Sequence, residues 1–285
     1  MKTLVTGANG MLGQDLCPIL EDEGYEVIET DIHNLDITNE TQVLEVLEKE
    51  KPNFIVHCAA YTNVDKAEED LETARLINTK GTENLAKACA KIGATMVYVS
   101  TDYVFNGQGT KPYLPTDKPE PLNNYGLTKY EGEEAVKKYC QKHFIARTSW
   151  LYGIHGKNFV ETMISLADKP ELRVVDDQVG CPTWTVELAN GIVKLLETED
   201  YGIYHVCGSG STSWYGFAKE IFKNLPSPLE GEDGRRPGDG LIPCTTEEFP
   251  RPAKRPAYSI MDNNRICKNW KVALKSYIQL RGIEV

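Results

Sequence analysis

Three glycines in the run Gly7-Ala8-Asn9-Gly10-Met11-Leu12-Gly13 join a short strand to an amphipathic helix, and few folds tolerate that junction. Lys2 to Thr6 reads as the strand, and apolar residues at 12, 16, 19 and 20 give the helix its stripe. Gly7 permits a tight turn, Gly10 lets the backbone approach a pyrophosphate, and Gly13 allows the helix to pack closely. The helix N-terminus then offers amide donors and a positive dipole to phosphate. In that context the run predicts a bound dinucleotide rather than a purely structural turn, with Asn9, Met11 and Leu12 bordering it.

The pattern that follows extends the same fold. Tyr25 to Thr30 is a second strand, a helix lies near 39–50, and Phe54 to Ala59 is a fully apolar third strand. A long helix is expected over about 68–92, with Leu71, Ala74, Ile77, Gly81, Leu85, Ala88 and Ile92 on one side. Met96 to Thr101 is a fourth strand, 123–142 a helix and Phe144 to Trp150 a fifth strand. Strand alternating with helix predicts an α/β fold, a Rossmann-like doubly wound parallel sheet with right-handed crossovers.

Beyond residue 150 the alternation weakens. Helices are expected at 157–168, 184–197 and 213–224, and a strand at 202–207. Residues 225–262 carry Pro226, Pro228, Pro237, Pro243, Pro250, Pro252 and Pro256, yet apolar residues return at Tyr258, Ile260, Trp270, Leu274, Tyr277 and Ile278. That return predicts a smaller, irregular but ordered C-terminal lobe. The expected division is a dinucleotide-binding domain over 1–150 with about 184–207, and a substrate lobe over about 151–183 and 208–285.

Charge and cysteine usage narrow the partners. A net charge of -11 argues against broad binding of nucleic acid or an anionic membrane, though not against one small anionic ligand. The longest apolar stretches fall far short of a membrane span, and no basic segment leads into an apolar signal region. Eight cysteines without a C-x-x-C pair suit neither a zinc site nor a disulfide framework, and a reducing, cytoplasmic setting is expected. The five histidines show no metal-ligand spacing, so no metal site is assigned.

Tyr125 and Lys129 stand four residues apart on one face of the 123–142 helix. A free tyrosine has a pKa of about 10, and a neighbouring cation favours the phenolate and brings it toward working range. Ser100-Thr101 ends a strand ahead of the pair and supplies a hydroxyl. Asp31 ends the second strand, 18 residues after Gly13, where a carboxylate can accept from the adenosine ribose. A 2′-phosphate would need a cation, and no Arg or Lys adjoins Asp31, which leans toward NADH while leaving NADPH open. Asp36-Ile37 reads either as an adenine-contacting pair or as a helix-entry turn.

Together with Asn78-x-x-Gly81-Thr82-x-Asn84-Leu85, these residues resemble the extended short-chain dehydrogenase/reductases. Finer motifs resemble the dTDP-4-dehydrorhamnose reductase family: His57-Cys58-Ala59-Ala60-Tyr61-Thr62-Asn63-Val64-Asp65, Ser100-Thr101-Asp102-Tyr103-Val104-Phe105, Arg147-Thr148-Ser149-Trp150-Leu151-Tyr152-Gly153 and Asp176-Asp177-Gln178-Val179-Gly180-Cys181-Pro182-Thr183. Asn106 and Cys181 depart from that family's usual Asp and Ser. The resemblance implies reduction of the C4 ketone of dTDP-4-dehydro-L-rhamnose by NADH or NADPH, in the making of a cell-surface polysaccharide precursor.

It also implies roles. Tyr125 would donate the proton, Thr101 would hydrogen-bond the carbonyl oxygen, and Lys129 would lower the tyrosine pKa and hold the nicotinamide ribose. Ala59, Ala60, Tyr61 and Ser100 would border the cofactor, and Asn78 would either face its nicotinamide side or serve as a buried helix-capping or bridging residue. Asp102, Val104, Phe105, Trp150, Asn158, Gln178, Pro182 and Thr183 would line the sugar-nucleotide cleft, Trp150 reading equally as a core aromatic that ends a strand. Arg251, Lys254 and Arg255 would either meet a diphosphate or lie in a solvated loop. A homodimer is implied, and magnesium is used by members of the family. Alternative readings are another nucleotide-sugar 4-keto reductase or epimerase, or an NADP-binding regulator resembling the methionine adenosyltransferase beta subunit.

Overall fold

Strands of four to seven residues, nearly all buried in the inner four and partly exposed at the two edges, form the centre of the computed structural model, which describes residues 1–225, 236–263 and 266–282. They are β1 (Lys2–Thr6), β2 (Glu26–Thr30), β3 (Phe54–His57), β4 (Thr95–Thr101), β5 (His143–Thr148) and β6 (Gly202–His205). All pairings are parallel, in the order β6-β5-β4-β3-β1-β2. The order reverses between β1 and β3, and a ligand crevice opens outside the carboxyl ends of strands at such a point.

Helices cover both faces, as the unbroken apolar strands require. One face packs on α1 (Met11–Asp22) and α6 (Thr185–Leu196), where Leu16, Leu20, Leu188 and Ile192 meet Val5, Val56, Val97 and Phe144. The other packs on α2 (Glu40–Glu50), α3 (Thr82–Ile92) and α4 (Asn124–Tyr139), around Leu47, Leu85 and Val136. Asn39 and Asn123 cap α2 and α4, accepting from the backbone N–H groups of Gln42 and Gly126.

The long helix expected over 68–92 is not continuous. Lys66–Glu69 stops at Asp70, whose side chain accepts from Thr73 N and restarts the chain as Leu71–Arg75. A π-turn, Leu76–Gly81, then leads into α3. The Asn78 side chain holds that turn open. Its Oδ1 accepts from Tyr61 N at 2.8 Å, and its Nδ2 donates to Tyr61 O at 3.0 Å and Thr128 Oγ1 at 3.1 Å. A π-turn of this kind frequently marks a functional segment.

The second lobe is built on α5 (Phe159–Ser165), α7 (Trp214–Lys223) and α8 (Trp270–Leu280). Trp270, Leu274, Tyr277 and Ile278 are buried against Tyr152, Phe217 and Ile221 in a core of their own. Two short strands, Leu172–Val175 and Leu241–Cys244, pair in parallel at its edge. Pro226 and Pro228 of the proline-rich stretch lie outside the described residues. All eight cysteines are free thiols. No helix among the described residues is long and apolar enough to cross a membrane.

Candidate active site

A cleft of about 680 Å³ lies at the carboxyl ends of the strands and reaches the second lobe. Its floor at one end is the glycine turn. Gly7 has φ +67, and a Cβ there would lie 2.8 Å from the backbone of Ala59, so only glycine fits between β1 and β3. No side chain caps α1, and Gly10 at its N-cap leaves the first-turn amides open to an anion. Gly7, Gly10, Met11, Leu12 and Gly13 all line the cleft.

Asp31 lines the cleft at the end of β2, where its Oδ2 accepts from Asn9 N at 3.2 Å and so ties the strand to the glycine turn. Asp36 and Ile37 also line it. Asp36 Oδ1 accepts from both Thr38 N (2.9 Å) and Thr38 Oγ1 (2.7 Å), so the residue serves the helix-entry turn as well as the cleft wall. Among the lining residues the cations are Lys129 and Lys157, neither of them on β2 or the loop after it. These features fit a dinucleotide.

At the other end Ser100, Thr101, Asp102, Tyr103, Tyr125 and Lys129 come together. Thr101 closes β4, donates to Asp102 Oδ1 at 3.1 Å and accepts from Tyr103 N at 3.2 Å. Burial pushes the Tyr125 phenol up to about 12, with the neighbouring Thr101 hydroxyl acting against it. Burial pulls Lys129 down to about 7, with the Glu133 carboxylate acting against it. Burial likewise pushes Asp102 up to about 7, against hydrogen bonds that favour its charged form.

One expectation is corrected by this geometry. Lys129 shares a helix face with Tyr125, but its ammonium donates to Val99 O at 2.7 Å and lies 4.1 Å from the centroid of the Tyr98 ring. Burial rather than this ammonium decides the phenol's pKa before the reaction, which stands above its ordinary value instead of below it. The neutral tyrosine is therefore poised as an acid, the form that protonates an oxygen gaining negative charge.

The remaining sequence candidates divide. Ala59, Ala60, Ser100 and Trp150 line the cleft, whereas Asn9, Tyr61, Asn78, Val104, Phe105, Asn158, Gln178, Pro182 and Thr183 do not. Asn78 is 1% exposed, and both its amide atoms are occupied by Tyr61 and Thr128; it braces the loop after β3 against α4. Val104, Phe105 and Thr183 are fully buried packing residues. Asn158 caps α5, accepting from Glu161 N, and donates to Gly153 O at 2.7 Å. Gln178 donates to Thr246 Oγ1 at 3.0 Å. Arg255 forms a two-pronged pair with Asp65 at 2.9 and 3.0 Å, so of the basic cluster it fastens the second lobe to the loop after β3.

Trp214 and Lys157 line the cleft and were not anticipated. Trp214 stacks on Trp150 at 3.6 Å with an interplanar angle of 5°. Trp150 reaches that position with φ +48, a left-handed backbone that a bulky side chain adopts only under constraint. No local period announces either residue, because both come from the second lobe. Among the described residues, no group of His, Cys, Asp or Glu is clustered as a metal ion requires.

A family model described as the RmlD substrate binding domain matches residues 1–280. A solved dTDP-4-dehydrorhamnose reductase from Clostridium acetobutylicum is 46% identical, with a TM-score of 0.92, covering 99% of this chain and 100% of that one. One from Bacillus anthracis, in complex with NADP, is 42% identical with a TM-score of 0.90, covering 98% and 99%. The spore coat polysaccharide biosynthesis protein SpsK of Bacillus subtilis is 42% identical over 99% of this chain and 98% of its own length.

Proposed function

The chain belongs to the dTDP-4-dehydrorhamnose reductase family, and from that premise we infer that it reduces the C4 ketone of dTDP-4-dehydro-L-rhamnose to dTDP-L-rhamnose. It is an oxidoreductase that uses a nicotinamide dinucleotide. The observation that carries the catalytic assignment is the convergence of the Thr101 hydroxyl, at the end of β4, and the neutral Tyr125 phenol on the cleft wall.

When bound, the nicotinamide supplies the hydride to the carbonyl carbon. Tyr125 donates its phenolic proton to the carbonyl oxygen as negative charge develops there. The Thr101 hydroxyl holds that oxygen in line with the phenol. Lys129, fixed by Val99 O behind the tyrosine, stabilises the phenolate left after proton donation. The Trp150–Trp214 stack forms an aromatic wall toward the second lobe and excludes water from that side.

The adenosine end leans toward NADH by its charge, whereas the Bacillus anthracis relative is in complex with NADP, so NADH and NADPH are both candidates. The Asp31 carboxylate would accept from ribose hydroxyls and repel a 2′-phosphate, with no Lys or Arg on β2 or its loop to offset it. The test of the reaction follows NADH and NADPH oxidation with dTDP-4-dehydro-L-rhamnose in the wild type and in Tyr125→Phe. Loss of about 10²–10⁴-fold in turnover with cofactor binding intact is expected for a general acid. Equal turnover in the two proteins would remove Tyr125 from the mechanism.

A further inference from the structure

We propose that Glu133 and Arg147, a buried ion pair beneath the cleft, are positioning residues that keep Lys129 charged and so set the pH range in which the Tyr125–Lys129 pair works. Tyr125, Lys129 and Glu133 follow one another at four-residue steps along α4, on one face. Glu133 is 0% and Arg147 1% exposed. Arg147 Nε and Nη2 donate to the two Glu133 carboxylate oxygens at 2.8 and 2.7 Å. The Ser100 hydroxyl donates to the same carboxylate at 2.6 Å.

The attachment to the sheet is orderly. Val99 O takes the Lys129 ammonium and the neighbouring Ser100 takes the Glu133 carboxylate, while Ser100 and Arg147 are paired across β4 and β5. Arg147 is held from its other side by Pro115 O at 3.3 Å and by the Phe105 ring, 5.1 Å from its guanidinium. A buried ion pair adds little stability over apolar side chains of the same volume. Its position one turn beyond a buried ammonium supplies another role.

The groups around Lys129 leave Glu133 as the source of negative charge. Tyr125 on α4 and Tyr98 on β4 are neutral phenols, both raised by burial. On β3, burial pulls His57 down to about 3 and pushes the Cys58 thiol up, so both are neutral. Arg147 on β5 is the remaining cation, and Glu133 neutralises it. Asp102, on the turn after β4, acts on Tyr125. Against the desolvation of Lys129, Glu133 is the foremost group that favours its charged form, ahead of Cys58.

The inference rests on Tyr125 and Lys129 being the proton-donating pair, and the test separates the two ideas. The pH profile of kcat/KM is measured for Glu133→Gln, Arg147→Gln, the double variant Glu133→Gln/Arg147→Gln, and Lys129→Met. Glu133→Gln moves the alkaline limb down by about 1 pH unit, read as up to ~10-fold lower kcat/KM on that side. Arg147→Gln, which leaves the carboxylate unbalanced, moves it up. The double variant buries no unpaired charge, so it decides the matter if either single variant fails to fold, and its limb also moves down. A folded double variant with the wild-type limb overturns the inference while leaving the catalytic reading intact. Full turnover in Lys129→Met overturns that reading itself.

Discussion

Gly132 gives the most direct test of how closely α4 must approach the sheet. A Cβ at this position would lie 2.4 Å from Tyr98 Oη and 2.7 Å from the backbone oxygen of Asn78. Tyr98 cannot yield, since it is fully buried, donates to Lys129 O at 3.3 Å and packs its ring under the Lys129 ammonium. Asn78 O accepts from Thr82 Oγ1 at 2.6 Å within the braced π-turn. In Gly132→Ala the helix must therefore lift by about 1 Å to restore ordinary contact, at a cost of about 1–3 kcal/mol for overpacking. Tyr125 and Lys129 ride on that helix, and a displacement of about 1 Å at a reacting group can cost ~10²-fold in rate. The assay compares sugar-dependent NADH oxidation, the thermal midpoint and the NADH dissociation constant with those of the wild type. We expect turnover to fall about 100-fold and the midpoint by about 2–4 °C per kcal/mol. NADH affinity changes little, because the glycine turn at Gly7 lies on other elements. Wild-type turnover in a folded Gly132→Ala enzyme would refute the argument that this contact sets the catalytic geometry.

Two further outcomes are expected. Asp31→Ala removes the ribose acceptor and the charge that repels a 2′-phosphate, so the ratio of kcat/KM for NADH over NADPH falls by about 10-fold or more, as loss of a charged hydrogen bond implies; an unchanged ratio would mean that preference is set elsewhere. His57 is buried between Thr6 Oγ1 at 2.7 Å and Thr82 Oγ1 at 3.0 Å, with a pKa pulled down to about 3. Its folded pKa lies below the unfolded one, so the unfolded chain binds the extra proton and stability falls as pH drops from about 6.5 toward 3. A denaturant midpoint that loses this slope in His57→Asn is the expected result, and an identical slope in the variant counts against it.

What could be read from the sequence was what local chemistry dictates. The glycine turn, the alternation of strand and helix, the Thr101 position at the end of β4 and the four-residue step from Tyr125 to Lys129 depend on neighbours a few residues apart. The break in the 68–92 helix does not: Asn78 opens the π-turn by bonding Tyr61 and Thr128, which no periodicity in that segment reveals. The direction of Lys129 was hidden for the same reason, since Val99 O and the Tyr98 ring draw it inward from another element. Asn158 is different. Asn followed three residues later by Glu161, ahead of an apolar helix, is a helix-entry signature, and the structure uses it as one. Trp214 and Lys157 reach the cleft through tertiary packing of the second lobe, and only the assembled fold places them there.

The mixed origin of the sheet has a consequence for biosynthesis. The face that packs on α1 is completed by α6 and edged by β6, both made after the strand that ends at Thr148. While the chain emerges from the ribosome, Val5, Val56, Val97 and Phe144 await Leu188, Ile192 and Leu196, and β5 has an unpaired edge. Exposed apolar surface and an open strand edge are what nascent-chain chaperones engage and what drives aggregation when synthesis stalls. Premature termination upstream of Thr185 therefore leaves a dinucleotide half that cannot close its own core, and the whole protein is lost to quality control rather than its second lobe alone.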